Sequence, residues 1–406
     1  MNNLKATGII VEYNPFHNGH ALHAKQAKEQ TNSDVVIAVM SGHFLQRGEP
    51  AFTNKWERTK MALQNGVDLV FELPYAFATG HAPKFAKGAI QLLDGLLCDS
   101  FCFGSEQGQI KPFENSMDLL TTYHAAYEQK IKESMERGMS YPHALAIAYT
   151  HIQQLEANRR PVVDLTKPNN ILGFHYMQAA KAIQTSMRAE TIQRVGAQYH
   201  DQSFSSSTIA SATAIRQQFF KSQTTKEVAS FMPSSVLDRL TQQLNEQIPF
   251  ANWERFYPLL RSIILRDGPQ QLKEIADITE GIENRIYEAA LQHAHFEPFM
   301  HMIKSKRYTW TRLQRMLVHI LTRYTYMMRE QIQTPTYLRL LGMTKNGRHY
   351  LRQYKQAFHY PIISKASASN DPSLQVDITA SNMYYLGLGQ QHLINDDYKR
   401  TPIMME

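Results

Sequence analysis

The segment GIIVEYNPFHNGH at residues 8–20 constrains the fold of this chain more than any other stretch of its sequence. An apolar run is followed by an Asn14-Pro15 turn signal, and good helix formers begin at Ala21. The pattern predicts a buried strand, a tight turn and a helix in immediate succession. Such a junction directs backbone N–H groups and the positive end of a helix dipole toward one point, where phosphate groups bind.

The same alternation of strand and helix continues along the chain. Short apolar runs predict strands at residues 6–11, 34–40, 68–73, 100–104 and 190–195. Helical patterns lie between the first four runs, at residues 20–30, 54–65 and 83–97. Alternation of this kind implies right-handed crossovers and a mostly parallel sheet with helices on both faces. Ligands of such folds bind at the carboxyl ends of the strands.

Helical patterns dominate the rest of the sequence. Residues 111–151 and 171–184 are predicted helical, and the pattern from residue 216 to about 358 is almost continuous helix. Its breaks are Pro233, Gly268-Pro269, Pro335 and Gly342. We therefore predict an α/β chain, with a Rossmann-like domain around a parallel sheet at residues 1–225 and a mostly α-helical domain at residues 226–406.

Composition favours a cytoplasmic protein with no part in the membrane. The two cysteines, Cys98 and Cys102, are too few for a disulfide framework. The sequence predicts no signal peptide, and no apolar run approaches the ~18 residues that a membrane helix needs.

His17 and His20 are the first candidate catalytic residues. Three positions apart, they can project from one side of the first helical turn and donate hydrogen bonds to a phosphate whose charge grows as pyrophosphate leaves. Gly19 lets a ligand approach the backbone closely because it has no Cβ. Either histidine could instead cap the helix or lie at the surface. A His-x-x-His pair without cysteine or carboxylate neighbours is a weak zinc signal, so we predict no metal site.

The segment SATAIR at residues 211–216 contains the remaining candidate catalytic residues. Ser211, Thr213 and Arg216 place two hydroxyls and a guanidinium at the opening of a helix, a combination that can hold a polyphosphate. The alternative is an ordinary helix cap, because Ser and Thr are favoured at that position.

A loop that follows the second predicted strand contains candidates for contacts with substrate or phosphate. It has the sequence SGHFLQRGEPA, and a helix with basic residues follows it. Its groups can neutralise phosphates or receive a carboxylate substrate, and the candidates are Ser41, Gly42, Arg47 and Lys55. The alternative is a surface loop beside a solvated helix face.

Asn169 and Arg194 are candidates for recognising the adenine base. An Asn side chain can hydrogen-bond an adenine edge, and an Arg side chain can stack on the base or pair with phosphate. An ordinary turn residue is the alternative interpretation of Asn169.

The net charge of +7 is concentrated in one region. Residues 301–355 contain twelve Lys or Arg and a single acid, Glu330. Aromatic side chains are interleaved with these cations, at Tyr308, Trp310, Tyr324, Tyr326, Tyr337 and Tyr350. Cations suit RNA phosphates and aromatic faces suit unstacked bases, so we predict RNA-binding residues at Lys304, Lys306, Arg307, Arg312, Arg315, Lys345 and Arg348. The alternative is a helical bundle with aromatic residues in its core and solvated cations.

Two of these motifs are similar to those of the nucleotidyltransferase superfamily. HNGH resembles its (H/T)-x-G-H motif, and SATAIR resembles its S-S-T-x-I-R motif with Ala212 in place of the second serine. Over nearly its whole length the chain further resembles the bacterial tRNA(Met) cytidine acetate ligases. The strings that carry this resemblance are VEYNPFHNGH, VMSGHFLQRGEPA, KWERTKMAL, GVDLVFELP, FGSE, KPNNILG and IASATAIR.

The resemblance implies an N-terminal nucleotidyltransferase domain and a two-step ligase reaction. ATP activates acetate as acetyl-adenylate, and the acetyl group then passes to the N4 amine of the wobble cytidine of elongator tRNA(Met), giving N4-acetylcytidine. The implied ATP-binding residues are Ile10, Val11, Glu12, Tyr13, Asn14, Pro15, Phe16, His17, Asn18, Gly19, His20, Ala21, Leu22, His23, Gly104, Asn169, Arg194 and Val195. No carboxylate pair predicts a dedicated magnesium site, so we expect Mg²⁺ to arrive with ATP.

Two functions of other classes are also compatible with the motifs. An adenylyltransferase that makes a dinucleotide-type cofactor would share the N-terminal motifs but gives no reason for the basic region. A non-catalytic RNA-binding protein with a relic nucleotide fold would account for that region but not for the retained histidines and the Ser-Thr-Arg motif.

Overall fold

The computed structural model describes residues 3–139, 141–156, 160–194 and 208–406. Within these ranges one sheet contains eight strands: β1 (Ala6–Val11), β2 (Val35–Ser41), β3 (Leu69–Leu73), β4 (Ser100–Ser105), β5 (Arg188–Gln193), β6 (Leu338–Met343), β7 (Ile362–Ile363) and β8 (Ile403–Met404). The strand order is β5-β4-β1-β2-β3-β6-β7, and β8 also pairs with β6. Strands β1 to β5 are parallel to one another, whereas β6 runs antiparallel to β3. The predicted α/β class is confirmed, with a mixed rather than purely parallel sheet.

Helices flank the sheet and fill the rest of the described chain. In the first half they are α1 (Asn18–Thr31), α2 (Lys55–Leu63), α3 (Tyr75–Ala78), α4 (Ala82–Gly95), α5 (Lys111–Thr122), α6 (His124–Glu136), α7 (Tyr141–Leu155), α8 (Pro168–Ala182) and α9 (Ala212–Ser222). In the second half they are α10 (Ser234–Asn245), α11 (Trp253–Leu272), α12 (Ile282–Gln292), α13 (Phe296–Ile303), α14 (Trp310–Thr322), α15 (Tyr326–Gln331), α16 (Lys345–Tyr354) and α17 (Pro372–Gly387). Helix α11 bends at Gly268, whose φ is 65°. Among the described residues, no helix is both long and apolar enough to cross a membrane.

Side chains of β2 alternate between two hydrophobic cores, as the period of a strand requires. Val35, Ile37 and Val39 pack on one face with α4 and with helices of the second half of the chain. Val36 and Ala38 pack on the other face with residues of α1, α2, α9 and α10. Every residue of β2 is buried. Both faces of the sheet are therefore covered, which explains why its strands are near-continuous apolar runs in the sequence.

The C-terminal half contributes three strands to the sheet. The segment around Leu338–Met343 was predicted to be helical, and this prediction is wrong, because these residues form β6 beside β3. The sheet consequently crosses the predicted boundary at residues 225 and 226. The division of the chain into two domains stays a prediction, but it does not coincide with a break in the sheet.

Candidate active site

A cleft of about 270 Å³ lies at the carboxyl ends of β1, β4 and β5. The first residues of α8 and α9 line it together with the first turn of α1. Most of the predicted ATP-binding residues line this cleft, namely Ile10, Val11, Glu12, Tyr13, Asn14, His17, Gly19, His20, Leu22, His23, Gly104, Asn169 and Arg194. Ser211, Thr213, Arg216 and Arg47 also line it. The structure therefore brings together motifs that are two hundred residues apart in sequence.

His17 and His20 cap the N-terminus of α1 reciprocally. The Nδ1 atom of His17 accepts a hydrogen bond from the backbone N–H of Gly19 at 3.0 Å, and Nδ1 of His20 accepts one from the backbone N–H of His17 at 3.3 Å. Because each Nδ1 is an acceptor, each neutral ring carries its proton on Nε2. A Cβ at Gly19 would lie 2.8 Å from Cε1 of His17, so only glycine leaves room for the capping ring. The capping alternative is correct, and it leaves Nε2–H as the donor.

The environment keeps these imidazoles neutral. Burial, followed by repulsion from the Arg194 guanidinium, lowers the pKa of His17 to about 3. Burial and then the neighbouring His17 hold the pKa of His20 well below its ordinary value, and the two rings stack with centroids 3.8 Å apart. Burial and Arg194 lower the pKa of His23 to about 4. The cleft thus presents neutral N–H donors beside the exposed guanidinium of Arg194.

The N-terminus of α9 forms the opposite side of the cleft. The hydroxyl of Ser211 accepts a hydrogen bond from the backbone N–H of Ala214 at 3.1 Å, so the helix-cap interpretation describes this contact. The Arg216 guanidinium donates to the backbone carbonyl of Asn14 at 2.7 Å and pairs with Glu49 at 3.1 Å. Arg216 therefore ties α9 to the loop before α1. Its contact with phosphate stays a prediction.

Asn169 is oriented by a carboxylate at the N-terminus of α8. Its Nδ2 donates to Oε1 of Glu106 at 2.7 Å, and the backbone N–H of Asn170 donates to Oε2 of Glu106 at 2.8 Å. Since its amide nitrogen is engaged, Asn169 presents its Oδ1 as an acceptor, which suits the amine of adenine. A Cβ at Gly104 would lie 3.3 Å from Cγ of Arg194, so these two residues are close neighbours.

Sequence reasoning missed the apolar wall of the cleft. The ring centroids of Phe103 and Tyr176 are 5.8 Å apart, and those of Phe85 and Tyr176 are 6.5 Å apart. All three residues line the cleft. In sequence they have the same pattern as core aromatics, so no local signal distinguishes them.

Four residues of the implied ATP-binding list do not line the cleft: Pro15, Phe16, Asn18 and Ala21. Phe16 is fully buried and packs against Tyr13, with ring centroids 4.6 Å apart. The Asn18 side chain instead donates to the carbonyls of Thr208 and Ser230. Val195, the last residue of that list, lies outside the described residues.

Lys55, Ser41 and Gly42 are wrong as candidates for contact with substrate or phosphate. Lys55 is fully buried away from the cleft, with its Nζ 2.8 Å from carboxylate oxygens of both Glu72 and Asp397. The carbonyls of Ser41 and Gly42 accept hydrogen bonds from the Arg58 guanidinium. The sequence showed a basic residue near a loop, but not the two carboxylates that the fold places around it.

The loop at residues 42–50 connects the cleft to the helical half of the chain. Gln46, Arg47 and Glu49 line the cleft. Gly48, with a φ of 72°, packs directly on α14, where a Cβ would lie 2.2 Å from the backbone nitrogen of Arg315. Its carbonyl accepts a hydrogen bond from the Trp253 indole at 3.1 Å. Helix α14, which contains Arg312 and Arg315, therefore packs directly against the loop that lines the cleft.

The basic region does not form one surface. Lys345 and Arg348 lie on α16, which packs at the amino ends of the parallel strands. Tyr350 of this helix donates to the carbonyls of Leu96 and Leu97, just before β4. Lys345 and Arg348 are thus at the amino ends of the strands, whereas the cleft is at the carboxyl ends. Their assignment to one RNA-binding surface with the other candidates is therefore corrected. We call the remaining group, Lys304, Lys306, Arg307, Arg312 and Arg315, the basic rim.

Most aromatic residues of the basic region belong to the core. Tyr308, Tyr324, Tyr337 and Tyr350 are buried, so the bundle-core alternative is correct for these four. Trp310 and Tyr326 are only partly buried.

Among the described residues, no group of three or more His, Cys, Asp or Glu side chains is arranged to hold a metal ion.

The chain is similar to known proteins along its whole length. A family model described as HIGH Nucleotidyl Transferase matches residues 4–398. The tRNA(Met) cytidine acetate ligase of Lysinibacillus sphaericus is 47% identical over 403 residues, which cover 98% of this chain and 100% of that protein. The Bacillus subtilis protein of the same name is 42% identical over 391 residues, which cover 94% and 92%.

Two crystal structures of Thermotoga maritima TmcAL share the fold. The apo form has a TM-score of 0.92 at 32% identity, and the form bound with alpha-thio ATP has a TM-score of 0.89 at 31% identity. Each comparison covers 99% of this chain and 100% of the other. The likeness therefore includes both the cleft and the helical half.

Proposed function

Because the chain belongs to the family of tRNA(Met) cytidine acetate ligases, within the HIGH nucleotidyltransferases, we propose that it acetylates a tRNA cytidine at the expense of ATP. Acetate first attacks the α-phosphate of ATP, giving acetyl-adenylate and pyrophosphate. The N4 amine of the wobble cytidine of elongator tRNA(Met) then attacks the acyl carbon, giving N4-acetylcytidine and AMP. We place this reaction in the cytoplasm.

The cleft offers donors where charge develops in the first step. The Nε2–H groups of His17 and His20 donate to the bridging and terminal oxygens of the departing pyrophosphate, and the interaction strengthens as negative charge accumulates there. Ser211, Thr213 and Arg216, with the N-terminus of α9, hold the β- and γ-phosphates. Asn169 and Arg194 bind the adenine base. Mg²⁺ that accompanies ATP would supply positive charge to its phosphates.

The observation that carries this proposal is the convergence of two helix N-termini and two neutral imidazole donors on one cleft beside a basic rim. Incubation with ATP, labelled acetate and elongator tRNA(Met) should release pyrophosphate and AMP and give labelled N4-acetylcytidine. A stable adenylylated small molecule in place of AMP would instead favour a cofactor-forming adenylyltransferase. Failure to bind ATP would favour a non-catalytic RNA-binding protein.

Reversing charge on the basic rim should separate the two steps. In K306E/R307E we expect acetyl-adenylate formation to persist and tRNA affinity to fall, because both side chains are exposed and lie outside the cleft. Each lost phosphate contact should also make the log–log salt dependence of tRNA affinity shallower by about 0.7–0.9. Filter binding across a salt series, with acetate-dependent pyrophosphate exchange on the same preparation, measures both.

K345E/R348E is the matched control, since it reverses the charge of one Lys and one Arg at exposed positions on α16, at the amino ends of the strands and away from the cleft. Equal losses of tRNA affinity in the two variants would show that net charge, rather than the basic rim, governs binding. Unchanged affinity in K306E/R307E would remove these residues from the RNA-binding surface.

A further inference from the structure

Glu12 occupies an unusual place in a cleft for anionic substrates. It directly follows β1 and lines the cleft beside Tyr13. Its Oε1 accepts a hydrogen bond from the backbone N–H of Gln46 at 2.8 Å, and its own carbonyl accepts one from the Arg58 guanidinium at 2.6 Å. The Gln46 N–H therefore holds the carboxylate, and Arg58 holds the backbone of the same residue.

Electrostatics argue against a role for this carboxylate in holding the small substrates. ATP, acetate and pyrophosphate are all anions, and a carboxylate in a partly buried cleft repels each of them. The adenine-binding candidates, Asn169 and Arg194, belong to α8 and the end of β5 instead. The acceptor amine of the proposed reaction is a neutral donor, and a carboxylate can both bind it and take its proton.

The surroundings of Glu12 also connect it to the helix that contains part of the basic rim. Gln46, whose N–H holds the carboxylate, belongs to the loop that packs on α14 through Gly48. Arg315 of the basic rim lies directly against that glycine. The loop that holds the Glu12 carboxylate thus connects the cleft to α14, the helix that contains Arg312 and Arg315 of the basic rim.

We infer that Glu12 is the general base of the acetyl-transfer step, an inference that rests on the proposed function. As the cytidine N4 attacks the acyl carbon of acetyl-adenylate, the new C–N bond forms and the N4 proton passes to the Glu12 carboxylate. The bond between the acyl carbon and the AMP oxygen breaks, and its electron pair leaves with AMP. Glu12 then releases the proton to water, so the step needs no further reactant.

Four neighbouring groups govern the titration of Glu12. Burial raises its pKa above the ordinary 4.5, the Gln46 N–H and the Arg47 and Arg58 guanidiniums oppose this increase, and Glu49 reinforces it. Tyr176, on α8, also lines the cleft, and burial and the charge of Glu12 raise the pKa of its hydroxyl. Because the base must be ionised, transfer should slow as the pH falls through the pKa of Glu12.

The test measures the two steps separately in the full-length enzyme. In Glu12→Gln we expect single-turnover transfer from preformed acetyl-adenylate to tRNA to fall by about 10²–10⁴-fold, the usual contribution of general-base catalysis. Acetate-dependent pyrophosphate exchange should fall far less. The acidic limb of the pH profile for transfer should disappear in Glu12→Gln and persist in Glu12→Asp, which keeps an ionisable group. Glu128→Gln, at an exposed position on α6, should match the wild type in both steps.

The outcomes separate this inference from the proposed function. A wild-type enzyme without acetate-dependent exchange or transfer would overturn both. Equal losses of exchange and transfer in Glu12→Gln would place the carboxylate on ATP and overturn the inference alone. If Glu12→Gln does not fold, as judged by circular dichroism, the pH profiles of the wild type and Glu12→Asp decide the matter, because a transfer rate that does not fall at acidic pH in either enzyme contradicts an ionised carboxylate as the base.

Discussion

Replacement of His20 by alanine is expected to lower the rate of acetate-dependent pyrophosphate release by about 10²–10³-fold, the usual cost of losing one donor to a developing oxyanion. The Nε2–H of His20 gains strength only as charge accumulates on pyrophosphate, so ATP affinity should change much less than the rate. Single-turnover rates at saturating ATP and acetate, with ATP affinity from equilibrium binding, provide the measurement.

Loss of the His20 ring also removes a cap from α1, because its Nδ1 accepts the backbone N–H of His17. Such a cap is worth about 0.5–2 kcal/mol of stability, and a thermal melt separates that effect from the catalytic one. His349→Ala, at an exposed position on α16, is the matched control and should keep the wild-type rate. A His20→Ala enzyme that releases pyrophosphate at the wild-type rate would limit His20 to its capping role.

Replacement of Lys55 by methionine is expected to lower the free energy of unfolding by about 3–5 kcal/mol. Lys55 is fully buried, and its removal takes away the cation that pairs with Glu72 and leaves Asp397 with the more distant Arg339 guanidinium, 3.7 Å away. Uncompensated charge in the interior costs far more than the lost packing, which methionine largely restores. Chemical denaturation of the purified variant and wild type gives the difference.

Lys111→Met provides the comparison for this variant. Lys111 pairs with Glu114 at 3.0 Å on the surface of α5, and a pair so exposed contributes about 0–1 kcal/mol. If the two variants lose a similar free energy of unfolding, the buried pairs of Lys55 with Glu72 and Asp397 contribute no more than a surface pair.

The elements around the cleft could be predicted because their signals are local. Strand β1 spans the residues predicted for it, and β4 extends one residue beyond its prediction. A strand buried on both faces has to be apolar throughout, and a Pro-containing turn marks its end. The convergence of His17, His20 and Arg216 followed from the rule that ligands bind at the carboxyl ends of parallel strands.

What could not be predicted depends on partners distant in sequence. The buried Arg339 in β6 pairs with Asp397, 58 residues further along, and no local pattern shows that partner. Lys55 looked like a phosphate ligand for the same reason. Because β6 runs antiparallel to β3, the cations that follow β6 lie at the amino ends of the parallel strands, away from the basic rim. No local sequence pattern indicates this strand direction.

The antiparallel strand β6 has a consequence for the synthesis of this protein. When the ribosome has made the first two hundred residues, β3 is the outer strand of the growing sheet, and its backbone edge is open until residues 338–343 emerge. All five residues of that strand are buried in the finished fold, so the nascent chain exposes an apolar edge of the kind that pairs with other chains. Lys55 likewise lacks its partner Asp397 until that residue has been synthesised. We therefore expect the newly made N-terminal half to depend on chaperones that shield nascent strands, and a chain that ends before residue 338 to aggregate.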